Sequence, residues 1–179
     1  MFISLAYINE TVSKDYIIYC DLDGVLVDFR SKALETEPNI KFKPYDETKE
    51  QKGLWNKLWG TVARTGSSWW ESMGWEKDGK ILWQYIKPHN PFILSAAPPS
   101  IFEKTKKGKL AWIRKNLGKE FADRAIIVKR AEKLKYATPN AVLIDDEARN
   151  CDEFKKAGGI CINHTSTRET IKKLKNLGL

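Results

Sequence analysis

Five short apolar runs punctuate the chain, and each stops at a polar or charged residue. Tyr16-Ile17-Ile18-Tyr19-Cys20 stops at Asp21, and Pro91-Phe92-Ile93-Leu94 stops at Ser95. Ala125-Ile126-Ile127-Val128 ends at Lys129, Ala141-Val142-Leu143-Ile144 at Asp145, and Gly159-Ile160-Cys161-Ile162 at Asn163. Runs of this length with no polar alternation predict strands of a parallel sheet buried on both faces. Helical spacing fills the intervals. Lys109 to Leu117 has it and stops at Gly118, and Glu147 to Ala157 reads as a helix closed by Gly158-Gly159. Ser166 and Glu169 have capping-box spacing and open a last helix with Ile171, Leu174 and Leu177 on its apolar side. Strands alternating with helices predict a doubly wound α/β fold.

One stretch breaks the rhythm. Between Phe29 and Gly79 no good strand pattern occurs, yet five of the seven tryptophans fall there: Trp55, Trp59, Trp69, Trp70 and Trp75. Leu54, Trp55, Leu58, Trp59 and Val62 have helical spacing. The expectation is a small, mostly helical cap over residues 30–79, inserted after the first strand of an α/β core made of residues 1–29 and 80–179. The first fifteen residues carry no assigned role; an extra strand or an arm both fit them.

A chain of 179 residues suits one compact domain with such an insertion. No apolar run is long enough to span a bilayer, and MFISLAYINETVSKDY lacks the basic start and cleavage site of a signal peptide. A cytoplasmic protein with no membrane partner is the expectation. The formal net charge of +8 favours anionic partners, although lysines spread along helices are commonly just solvated faces. Cys20, Cys151 and Cys161 fit no zinc spacing and are expected to be buried free thiols.

In a parallel sheet, functional groups gather where strands end at their carboxyl side. Here those ends carry Asp21 and Asp23, then Ser95, then Asp145 and Asp146. Two acidic clusters and a hydroxyl suggest a magnesium site handling phosphate, because Mg²⁺ takes hard oxygen ligands from a few carboxylates and from the phosphate itself. Hydrolysis of a phosphate monoester needs a nucleophile, a proton donor for the leaving oxygen, and positive charge around the phosphoryl group. Asp21 suits the first role, attacking phosphorus to give an aspartyl phosphate. Asp23 suits the second, protonating the leaving oxygen and later activating water. Ser95 and the amide of Ala96 are candidates to hold phosphoryl oxygens, and Lys109 to neutralise their charge. The metal candidates are Asp21, Asp23 (through its backbone carbonyl), Asp145 and Asp146.

The segment Asp21-Leu22-Asp23-Gly24-Val25-Leu26-Val27-Asp28 resembles the first motif of the haloacid dehalogenase-like phosphotransferase superfamily. Ser95 after Phe92-Ile93-Leu94 resembles its second motif, Lys109 its third, and Leu143-Ile144-Asp145-Asp146 its fourth. The resemblance covers Tyr16 to Ile162. Within the superfamily the chain looks most like the 5'(3')-deoxyribonucleotidases, through DLDGVLVDF at Asp21 to Phe29, KLAWIRKNLG at Lys109 to Gly118, and LIDD at Leu143 to Asp146. That resemblance implies Mg²⁺ as cofactor, a nucleoside monophosphate as substrate, and a nucleoside pocket lined by Phe29. Trp69 and Trp70 fall near the family's other pocket aromatics, and they fit a cap core equally well.

Several alternatives stay open. Lys129, at a strand end, competes with Lys109 for the motif lysine, as do Lys106, Lys107 and Lys133. Asn150 is within reach of the acidic pair in sequence, or is a capping residue. His89 and His164 have no partners at metal or triad spacing. Another small phosphate ester, or the end of a nucleic acid, is an alternative substrate. A noncatalytic nucleic-acid-binding protein on the same scaffold is a reading from a different class.

Overall fold

The computed structural model describes residues 15–42 and 48–179. Most of the N-terminal segment, for which the sequence left a strand or an arm open, lies outside the described residues. Five parallel strands form one sheet in the order β3-β2-β1-β4-β5. They are β1 (Ile17–Cys20), β2 (Phe92–Ala96), β3 (Ile126–Val128), β4 (Ala141–Asp145) and β5 (Ile160–Asn163). All five apolar runs are strands, within a residue or two of their sequence limits.

The sheet is buried on both faces, which is why its strands lack polar alternation. Ile18, Cys20, Val142 and Ile144 point into one apolar cluster, while Tyr19, Ala141 and Leu143 point into another with Phe154. The order reverses direction at β1. The chain runs from β1 outward through β2 to β3, then crosses back over to β4 on the other side of β1 and on to β5. That reversal opens a crevice at the carboxyl ends of β1, β2 and β4.

The helices are α1 (Phe29–Thr36), α2 (Lys49–Thr65), α3 (Ser67–Glu71), α4 (Gly79–Ile86), α5 (Phe102–Asn116), α6 (Lys119–Asp123), α7 (Ala148–Lys156) and α8 (Thr167–Asn176). Their ends follow local chemistry. Asp28 accepts the Ser31 amide at the start of α1, Thr48 accepts that of Gln51 at α2, and Ser166 accepts that of Glu169 at α8. Gly118 after α5 and Gly158 after α7 take positive φ, where a side chain would be strained. No described helix is long and apolar enough to cross a membrane.

Helices α1, α2 and α3 fill the stretch that lacked strand patterning. Leu58 and Val62 of α2 and Trp69 and Trp70 of α3 are buried in the same apolar cluster as the upper face of the sheet. The aromatic rings cluster around Phe29, whose centroid lies 5.9 to 6.4 Å from those of Trp55, Trp59, Trp69 and Trp70.

One expectation is corrected. Cys151 and Cys161 are not free thiols: they form a disulfide between α7 and β5, with Cα atoms 5.1 Å apart. The two-glycine turn after α7 sends the chain back as β5, so the inward face of the helix lies on the strand. Cys20 is free and buried.

The approach of α3 to α5 depends on Gly108 of α5. A Cβ there would lie 2.4 Å from the Ser67 carbonyl oxygen and 2.6 Å from Trp70 Cβ. Gly53, on α2, has nothing within 4 Å of that position. Alanine in an open helix site gains up to about 1 kcal/mol, while overpacking against backbone costs roughly 1–3 kcal/mol. Gly53→Ala is therefore expected to raise the urea midpoint and Gly108→Ala to lower it. Equal behaviour of the two would show that α3 does not approach α5 this closely.

Candidate active site

The crevice at the switch point collects the polar groups that the sequence leaves at strand ends. Asp21 follows β1 directly, and its amide continues the ladder by donating to the Ile144 carbonyl at 2.9 Å. The chain then coils in a tight turn in which the amides of Val25, Leu26 and Val27 all donate to Leu22 O. Gly24 within it has φ +72, and a Cβ there would sit 2.5 Å from Asp146 Oδ2. Glycine thus serves twice: it permits the turn and leaves room for the Asp146 carboxylate.

Asp21, Asp145 and Asp146 each offer an oxygen within 4.8 Å of the others. Asp21 and Asp145 are buried, at 6% and 0% exposure. Lys133, 2% exposed, donates to Asp21 Oδ2 at 2.9 Å and to Asp145 Oδ2 at 2.7 Å. The Asp145 carboxylate also accepts from the Glu147 amide at 2.9 Å and from Asn150 Nδ2 at 3.0 Å. Asn163 Nδ2 donates to the backbone carbonyls of Asp145 and Asp146, fixing the turn that carries the pair.

A second lysine organises the other side. Lys109, also 2% exposed, donates to Asp23 Oδ2 at 2.6 Å, Ser95 Oγ at 2.8 Å and the Ala96 carbonyl at 2.7 Å. Its ammonium lies 4.9 Å from the centroid of the Trp70 ring, a cation–π contact that joins α3 to the site. With three donors engaged, the ammonium leaves the Ser95 hydroxyl hydrogen to Asp21, whose carboxyl it helps to hold down.

The charges set each group's proton affinity. Burial opposes ionisation of Asp21, but Lys133 and then Lys109 hold its carboxyl below the ordinary aspartate range. Asp23 goes the other way: burial, opposed by Lys109 and reinforced by the negative charge of Asp21, pushes its carboxyl up. Burial, with Asp21 adding repulsion, also raises Asp145. Lys133 stays an ammonium despite burial because Asp21 and Asp145 flank it, and its pKa is raised. Two neighbouring carboxylates with opposite tendencies suit a nucleophile and a proton donor.

The donor set fits a divalent cation. Asp21, Asp145 and Asp146 bring carboxylate oxygens within 4.8 Å of one another, and these are the hard oxygen donors that Mg²⁺ takes. The side chain of Asp23 is not in this group, since its Oδ2 is bound to Lys109.

The structure thus brings Asp21, Asp23, Ser95, Ala96, Lys109, Asp145 and Asp146 around one crevice. Phe29, Trp69 and Trp70 share one aromatic cluster, but they differ in their ties. Trp69 Nε1 donates to Thr36 Oγ1 at 2.9 Å, tying α3 to α1. Trp70 touches a crevice lysine, and its buried Nε1 has no partner among the described residues. Lys129, the rival for the motif lysine, caps the short 3-10 helix Arg130–Tyr136, its amide donating to Glu132. The lysine that bridges the first and last acidic groups is Lys133 of that same helix, which the sequence offered only as one of several lysines. No local pattern distinguishes it. His164 packs on Thr170, Nδ1 to Oγ1 at 2.8 Å, away from the chemistry.

No protein-family model and no curated protein matches the sequence. Solved structures do. A HAD family hydrolase from Deinococcus radiodurans R1, with bound phosphate and sodium, is similar at 12% identity over 93% of this chain and 97% of its own, with a TM-score of 0.55. A HAD-superfamily hydrolase from Ehrlichia chaffeensis is similar at 12% identity over 91% of this chain and 97% of its own, with a TM-score of 0.50. The chain therefore has the fold of the haloacid dehalogenase-like hydrolases, with the candidate site at the carboxyl ends of its central strands.

Proposed function

We propose that the protein is a Mg²⁺-dependent phosphomonoesterase that works through an aspartyl phosphate on Asp21, with nucleoside monophosphates as substrates. The observation that carries this reading is the pairing of opposite carboxylates. Asp21 is held ionised by Lys133 and Lys109, and Asp23, two residues on, is pushed toward its protonated form. Asp21, Asp145 and Asp146 would hold the metal, which when bound screens the like charges of the nucleophile and the phosphoryl group.

Asp21 attacks phosphorus while Asp23 gives its proton to the leaving oxygen, releasing the alcohol. Asp23, now ionised, then takes a proton from water, which attacks the aspartyl phosphate and frees inorganic phosphate. Lys109 stabilises the charge on the phosphoryl oxygens, assisted by the Ser95 hydroxyl and the Ala96 amide. Lys133 keeps Asp21 ionised and aligned through the shared contact with Asp145. The nucleotide reading is supported by the partly buried rings of Phe29 and Trp59, which stack near Trp70, the ring that Lys109 touches. Flat aromatic surfaces beside a phosphate site suit a base as a stacking partner.

Phosphate release from a panel of nucleoside monophosphates and simple esters is expected to require Mg²⁺, to stop with EDTA, and to be lost in Asp21→Asn. Release that persists in Asp21→Asn would eliminate the aspartyl phosphate. Higher turnover of a non-nucleotide ester than of every nucleotide would remove the nucleotide assignment and leave the phosphatase.

The Asp23→Asn variant separates the two proton transfers. Loss of a general acid costs roughly 10²–10⁴ in rate, but p-nitrophenolate leaves without help. The variant should give a burst of about one equivalent of p-nitrophenol from p-nitrophenyl phosphate, then turn over slowly, and should release almost no nucleoside from a nucleotide. Equal losses on both substrates, with no burst, would argue against Asp23 as the acid.

A further inference from the structure

We infer that Arg130 is a positioning residue for the metal site, acting through the side-chain amide of Asn150 on the Asp145 carboxylate. The inference rests on the reading that Asp145 ligates the metal, and it adds a residue that the steps above do not use. Arg130 opens the 3-10 helix Arg130–Tyr136, which also carries Lys133. Residues three apart eclipse on such a helix, so the two side chains leave it on one face. Lys133 goes to Asp145 itself, and Arg130 goes to α7.

Arg130 Nη1 donates to Glu153 Oε2 at 2.6 Å and to Asn150 Oδ1 at 3.2 Å, one hydrogen to each. Asn150 turns its other end to the acidic group: Nδ2 lies 3.0 Å from Asp145 Oδ1 and 3.1 Å from Oδ2. An asparagine amide can offer either end to a neighbour, since its oxygen and nitrogen ends have nearly the same shape. Both neighbours here are one-sided. A guanidinium only donates, and an ionised carboxylate only accepts. The two contacts therefore select the same orientation of the amide.

Asn150 is 8% exposed and Asp145 is fully buried, so water is a poor substitute for either partner. Loss of Arg130 takes the donor from the Asn150 oxygen and frees the amide to turn. The Asp145 oxygens then keep only Lys133 and the Glu147 amide. Glu153 holds Arg130 in place from the outer side, and it also accepts from Arg149 Nε at 2.9 Å. Charge alone argues in the opposite direction. Arg130 is a cation near an acidic cluster, so its removal would by itself favour a dication there. Positioning predicts weaker metal binding where charge predicts tighter, and the sign separates the two.

The test titrates the metal-free full-length protein with Mn²⁺ and reads the EPR signal of the free ion, so no turnover is involved. Melting midpoints of the apoproteins are taken alongside. The variants are Asp145→Asn, Arg130→Met, Asn150→Ala, the Arg130→Met/Asn150→Ala double, and Arg149→Met, which removes the same charge from the same Glu153. Wild type should bind Mn²⁺ and Asp145→Asn should lose it. Arg130→Met and Asn150→Ala are each expected to bind about tenfold more weakly, the range for groups that orient metal ligands. The double variant should lose no more than the weaker single, because both act through one contact, and Arg149→Met should stay near wild type. Unchanged or tighter binding in Arg130→Met overturns the inference, whatever its melting midpoint. Additive losses in the double variant, or equal weakening in Arg149→Met, overturn it too. Those outcomes leave the metal-site reading standing. Mn²⁺ binding that is absent from wild type, or that survives Asp145→Asn, would instead remove that reading and this inference together.

Discussion

Asp21, Asp145 and Asp146 offer oxygens within 4.8 Å of one another in the crevice, and two of these residues are buried. Left alone, such a cluster would repel itself apart or take up protons. It persists because Lys133 reaches between Asp21 and Asp145 from the third crossover, itself almost fully buried. Removing one partner of a buried ion pair leaves an uncompensated charge and costs about 3–5 kcal/mol. The acidic site and its lysine therefore stand or fall together, and the surrounding elements are arranged to keep them in contact. Asn150 and the Glu147 amide hold Asp145 in orientation, and Asn163 pins the turn beneath it. The disulfide joins α7, which carries Asn150, to β5, which carries Asn163.

Lys109 makes the second connection, between the strand ends and α3. It reaches from α5 to Asp23, Ser95 and Ala96, and its ammonium rests on Trp70 of α3. That contact exists because Gly108, one residue earlier, lets α3 approach α5 without a side chain between them. Movement of α3 would thus be felt at Lys109. The aromatic cluster around Phe29 packs α1, α2 and α3 together on the same side.

The sequence by itself determined the five strands, the limits of α7, the end of α5, the start of α8 and the doubly wound class, because these rest on local chemistry. Apolar runs such as Ala141 to Ile144 can be buried on both faces only in a parallel sheet, and Ser166, Gly118 and Gly158 act on the residues beside them. It also marked Asp21, Asp23, Ser95, Asp145 and Asp146, since each lies at or within three residues of the carboxyl end of a strand. The tertiary structure decided what depends on enclosure from several elements. Lys133 looks like its neighbouring lysines along the chain, and only the approach of β1, β4 and the Arg130–Tyr136 helix buries it between two carboxylates. Cys151 and Cys161 read as separate buried thiols until the turn after α7 lays helix on strand. Trp69 and Trp70 are adjacent and chemically identical, yet one braces Thr36 and the other meets Lys109. Burial and long-range pairing are properties of a neighbourhood, and a local pattern holds only one side of it.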